Sequence, residues 1–120
     1  MARAMRGQRE VDECMVACRE CASTCVLCEG HCLEQGGRHA EASHIKLLSD
    51  CGEICTLAER CILRGSEFMG RLCDVCADVC DRCAQSCEQR NDSQIMQQCI
   101  DDCHRCAEAC RRMIGALVTA

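Results

Sequence analysis

The chain has 120 residues, of which 18 are cysteine, with no proline, a single aromatic residue (Phe68) and a formal charge of −5. Its 14 Lys and Arg are scattered among 19 acids with no basic stripe and no stacking platform, which argues against nucleic acid as a partner. No apolar run approaches the roughly 20 residues a membrane helix needs, and the turn-rich vocabulary of small secreted disulfide scaffolds is missing.

At this size the chain is expected to be one domain, residues 1–120, and its breaks divide it into four helical segments. The first helix is predicted over about 8–35, ending where Gly36-Gly37 can take positive φ. Along it Cys14, Cys18, Cys21, Cys25, Cys28 and Cys32 follow alternating steps of four and three. The second runs over about 40–64 and stops at Gly65, with His44, Leu48, Cys51, Cys55, Ala58 and Ile62 on the same rhythm and Cys61 one position off it. The third, about 67–90, opens after Ser66 as N-cap and carries Cys73, Cys76, Cys80, Cys83 and Cys87. Asn91-Asp92-Ser93 breaks the chain before the fourth, about 93–115, with Cys99, Cys103, Cys106 and Cys110. Connections this short force neighbouring helices antiparallel, so the expected fold is all-α, an up-down four-helix bundle with a cysteine-lined core.

A four-three repeat is one face of a helix, the seam that bundles usually fill with leucine. Side chains at i and i+4 have Cβ atoms about 5–6 Å apart, so two thiolates on one helix can share an ion at metal–sulfur distances of about 2.3 Å. Every CxxxC is then a two-ligand site, and each CxxC links it to the next. Cu(I) suits this best, being soft and content with few ligands. Zinc, in tetrahedral groups of four, stays open as the alternative, a zinc-buffering or zinc-stabilised bundle. A purely structural thiol core is the third reading. Iron–sulfur clusters favour loops, often with proline, and a redox CxxC would sit beside a sheet; neither matches.

These segments resemble the bacterial copper storage proteins, in their cytosolic branch without a signal peptide. The likeness rests on CMVACRECASTCVLCEGHC (Cys14–Cys32), HIKLLSDCGEIC (His44–Cys55), FMGRLCDVCADVCDRCAQSC (Phe68–Cys87) and CIDDCHRCAEAC (Cys99–Cys110). It implies a four-helix bundle holding many Cu(I) ions, bound mainly by cysteine, and a homotetramer in the cytoplasm; with each thiolate bridging two two-coordinate ions, copper would approach roughly one ion per cysteine. The basic start of the chain has no apolar stretch behind it, so no secretory signal is expected. Three positions depart from the family pattern. His44 and Met96 stand where relatives carry cysteine, and Ser93-Gln94-Ile95 precede Met96 where relatives tend to have histidines. Cys61 stands where relatives often have a small apolar residue.

The candidate metal ligands are therefore all eighteen cysteines together with His44, Met96 and Met69. His44 and Met96 are expected at one end of the bundle with Cys32 and Cys87; Met69 and Met113 belong to the other end with Cys14. His31 and His104 lie one residue from a cysteine and should face solvent, and His39 should sit near the first of these ends. The carboxylates are expected to face outward. No nucleophile–base–orienter set can be assembled, so storage of copper and not catalysis is the expectation.

Overall fold

The structure, a computed structural model, describes residues 7–119. It contains four helices, α1 (Gln8–Gln35), α2 (Ala42–Leu63), α3 (Met69–Glu88) and α4 (Gln94–Thr119), with a short 3-10 turn, Gly37–Ala40, before α2. Each helix packs on the next and α4 closes back on α1, so α1 faces α3, and α2 faces α4, only across the core. The result is the expected antiparallel up-down bundle, a rod of 53 × 20 × 19 Å. Its long axis follows from α1, since 28 residues at about 1.5 Å each give a helix of about 42 Å.

The four-three rhythm turns every cysteine of α1 inward while Arg19, Glu20 and Glu34 stay exposed. Ala17, Ala77, Ala84, Ala107 and Ala109 are buried beside the sulfurs, small enough to let the helix axes approach. Leu48, Met96, Met113 and His44 are the bulkiest fully buried side chains, so the rest of the interior is essentially cysteine.

Helix ends differ from the predicted ones for local reasons. Gly36 and Gly37 do take φ of 71° and 56°, but the chain then makes a 3-10 turn, and an extended Glu41 (ψ 137°) delays α2 to Ala42. Gly65, at φ 63°, ends α2 in a Schellman arrangement: its N–H bonds the Ile62 carbonyl and the Ser66 N–H bonds the Cys61 carbonyl at 2.9 Å. Ser66 is thus committed to closing α2. Its hydroxyl accepts from the Phe68 N–H at 3.0 Å within a turn, and α3 starts at Met69 instead of Glu67. At the other end of α3 the Arg90 N–H closes on the Cys87 carbonyl and the helix stops at Glu88. Gly115 does not end α4, because its backbone has no positive φ and the helix continues to Thr119.

One carboxylate contradicts the expectation that all face solvent. Asp102, on the α4 side of the α1–α4 contact, is 5 % exposed. It accepts from Thr24 Oγ1 (2.6 Å), Gln98 Nε2 (3.0 Å) and Arg105 Nη1 (2.9 Å). The buried carboxylate is held by these three hydrogen bonds, and removing it loses all three. Asp102→Ala is expected to lower stability by about 1–3 kcal/mol in urea melts of the reduced protein while leaving metal capacity unchanged.

Candidate metal centre

All cysteines of the four-three series have no exposed surface. Their sulfurs meet across helices as well as along them. Cys14 Sγ lies 3.6 Å from Cys110 and 3.9 Å from Cys73, and Cys106 lies 3.7 Å from Cys18. Midway, Cys55 Sγ is 3.6 Å from Cys76 and 3.7 Å from Cys80, and Cys21 is 3.8 Å from Cys103. Two sulfurs bound to a common ion at about 2.3 Å stand about 3.8 Å apart in a tetrahedral site and about 4.6 Å apart in a linear one. The sulfur spacing is therefore close to what a bridging metal requires. It is far from the roughly 2.05 Å of a disulfide, and all eighteen cysteines are free.

The sulfurs assemble into groups whose members lie within 4.8 Å of one another. From one end these are Cys14-Cys73-Cys110, then Cys18-Cys76-Cys106-Cys110, then Cys21-Cys55-Cys80-Cys106. Cys21-Cys25-Cys51-Cys103 and Cys25-Cys83-Cys99-Cys103 continue the series. Neighbouring groups share sulfurs: Cys110, Cys106, Cys21, then Cys25 with Cys103. The interior is a continuous ladder, not a set of separate sites. α2 is its thinnest rail, because Ala58 and Ile62 stand on its seam beyond Cys55 and Leu48 stands between Cys51 and His44.

At the far end the donors change. Met96 Sδ is 3.6 Å from Cys28 Sγ and 3.7 Å from Cys32 Sγ, and His44 Nε2 is 3.3 Å from Cys32 Sγ. The structure thus brings His44 and Met96 to the sulfur ladder together. Burial, with the Arg90 guanidinium adding to it, pushes the His44 imidazole down to about 4, so at neutral pH it is uncharged and able to act as a ligand. Burial pushes the Cys32 thiol up. The hydrogen bond with Cys106, and others from neighbouring sulfurs, push Cys55 up as well. Such thiols keep their protons until a cation replaces them.

Two predicted ligands stand apart from the contacts described so far. Cys61 is buried, but it lies outside the contiguous core and its Sγ accepts from Arg64 Nη2 at 3.8 Å. Its offset from the four-three series explains this, since one residue turns a side chain by about 100°. Met69 is half-buried and packs against the core cluster, whereas Met113 at the same end is fully buried. His104 is exposed, 3.5 Å from Glu88. His31 is half-buried and turned toward Ser93 Oγ (3.5 Å) and the edge of the His39 ring. His39 Nε2 pairs with Asp92 at 3.1 Å beside a polar cleft of about 380 Å³ at the His44 end.

Sequence reasoning missed Ser86 and Arg90. Ser86 Oγ lies 2.7 Å from His44 Nδ1, and Arg90 reaches Ser86 from one turn further along the chain. Their four-residue spacing beside Cys87 was a visible signal, but a serine and an arginine at a helix end carry no chemistry until the partner is known.

A bundle with a shared thiol ladder in place of an apolar core defines a protein that binds soft metal ions in number. A model of the family described as copper storage protein matches residues 7–115, and the chain belongs to that family. It is similar to the Nmul_A1745 protein of Nitrosospira multiformis, with 42 % identity and a TM-score of 0.83, covering 89 % of this chain and 96 % of that one. It is also similar to the Cu(I)-bound copper storage protein BsCsp3, with 35 % identity and a TM-score of 0.81, covering 88 % and 98 %. An uncharacterized cysteine-rich protein, YhjQ of Bacillus subtilis, is 36 % identical over 68 residues. That match covers 57 % of this chain and spans 63 % of the relative's length, under two thirds.

Proposed function

We propose that this single-domain protein stores and sequesters many Cu(I) ions in the cytosol, as thiolate-bridged copper along the core of its bundle. The observation that carries this reading is the sharing of sulfurs between neighbouring groups. A thiolate shared by two ions is what soft, low-coordinate Cu(I) uses, and it allows close to one ion per thiol. Each Cu(I) replaces one thiol proton, so loading leaves the net charge nearly unchanged and the rod does not repel itself as it fills. The cytosol is supported by eighteen cysteines spaced along helix faces for metal bridging, which a reducing compartment keeps as thiols. The homotetramer rests on the family resemblance. Storage, and not turnover, agrees with metal held among sulfurs that have no exposed surface.

The four-thiol groups also favour a second reading, zinc held in tetrahedral sites. Sharing limits it, because adjacent tetrads would compete for Cys21, Cys106 and the Cys25–Cys103 pair. Zinc would then saturate near one ion per four cysteines.

Titration of the reduced apoprotein with Cu(I) against a chromophoric chelator decides between them. Saturation is expected near one ion per core thiol, about 17, with Cys61→Ala unchanged in capacity and any bound zinc displaced. Saturation at one or two ions would remove the storage reading, and retention of zinc under copper would favour the second.

A further inference from the structure

We propose that Ser86 and Arg90 are positioning residues that hold His44 Nε2 on the Cys32–Met96 sulfur pair and so define the donor set at that end of the ladder. The inference rests on the reading that the core takes Cu(I).

An imidazole can serve the ladder only if its inner nitrogen carries no proton and its ring cannot turn. His44 Nδ1 stands 2.7 Å from Ser86 Oγ, while Nε2 points the other way, 3.3 Å from Cys32 Sγ. With Nδ1–H donating to the hydroxyl oxygen, Nε2 keeps its lone pair toward the sulfurs. A hydrogen bond on the far nitrogen is the usual means by which proteins fix the tautomer and basicity of a ligating histidine. Ser86 is on α3 and His44 on the first turn of α2, so this bond also sets how the two helices meet.

Ser86 is itself held. Arg90 Nη1 donates to the Ser86 carbonyl at 2.9 Å and contacts its hydroxyl at 3.3 Å. Arg90 Nε donates to the Arg38 carbonyl at 2.7 Å, and Nη2 donates to Glu41 Oε1 at 2.6 Å. The Arg90 side chain is 7 % exposed, and every guanidinium nitrogen is engaged. One planar fork therefore ties the 3-10 turn, the residue that opens α2 and the last turn of α3 around His44. A lysine, a point charge without that fork, could not make the same set of bonds. A ring needs an orienting partner that a thiol in the same place would not.

The test uses the full-length reduced protein, first metal-free and then loaded with Cu(I). Long-range ¹H–¹⁵N spectra of the wild-type apoprotein should show His44 protonated at Nδ1, and loading should move its Nε2 resonance. Ser86→Ala should mix the tautomers, and chelator competition should show the most weakly held Cu(I) released at about tenfold lower chelator concentration. Ser86→Thr, which keeps the hydroxyl, should restore both. Arg90→Lys should follow Ser86→Ala in the spectra; if that variant does not fold, the serine pair alone decides. Wild-type spectra that stay unchanged on full loading would overturn the proposal while leaving copper storage standing. Unaltered tautomer and retention in Ser86→Ala would overturn it too. Failure of the wild type to take up Cu(I) would instead overturn the reading on which it rests.

Discussion

Cu(I) loading is expected to raise the melting temperature of the reduced protein by about 20 °C or more without adding helix. The bundle buries its whole thiol seam, and a free cysteine packs as a small hydrophobe, so the helices are expected to form before metal binds. Their interior is nevertheless thin. Cysteine and alanine dominate it, few long apolar side chains support it, and α2 contributes only Leu48 and Ile62 as branched residues of the buried seam. Metal bound to the native state and not to the unfolded chain stabilises by mass action, about 4 kcal/mol for each site filled a thousandfold above its dissociation constant. Several such sites exceed the entire stability of an ordinary domain, about 5–15 kcal/mol. Circular dichroism melts with and without Cu(I), under reductant, measure both parts. An apoprotein without helix that folds only on loading would contradict the preformed ladder.

The fold was legible because cysteine here does two jobs with one periodicity. The four-three steps that predict a helix face also predict which atoms meet, so the order Cys14 to Cys110 maps directly onto the rungs. What the steps could not convey was which sulfurs of different helices share a rung, which depends on the stagger of four helices and not on spacing within one. Cys61 shows the limit from the other side: its identity suggested a ligand, but one residue of phase turns it to Arg64. The helix ends were less legible still. Ser66 is a sound N-cap residue in isolation, yet Gly65 recruits its N–H to close α2, and a competition between two adjacent termini is invisible in a window around either one. Asp102 and Arg90 were unreadable for a third reason. Charged residues on a helix are solvated by default, and only the approach of α1 to α4, or of the 3-10 turn to α3, buries these two.

The end of the rod that carries His44 and Met96 is expected to be where copper enters, so that His44→Ala together with Met96→Ala slows uptake several-fold and costs only an ion or two of capacity. Every donor of the ladder is fully buried, so an ion has to enter past a layer of protein, and at this end the first donors it meets are His44 and Met96. A Cu(I) ion meeting a buried thiol must displace its proton before the bond forms, and burial holds the Cys32 proton on. His44, uncharged at neutral pH, and the Met96 thioether offer lone pairs with no proton to remove. They also hold Cu(I) less tightly than thiolate does, so an ion captured there moves on to Cys28 and Cys32, both within 3.7 Å of the Met96 sulfur. Removing a buried methionine also destabilises by about 2–5 kcal/mol, and a softer bundle could change rates for that reason alone. Met113→Ala opens a similar hole at the opposite end, where Met113 is equally buried, and serves as the control. Stopped-flow loading from a chelated Cu(I) donor should find uptake slowed in the His44/Met96 variant and unchanged in Met113→Ala. Equal slowing in both would assign the effect to packing, and unchanged rates in both would place the entrance elsewhere.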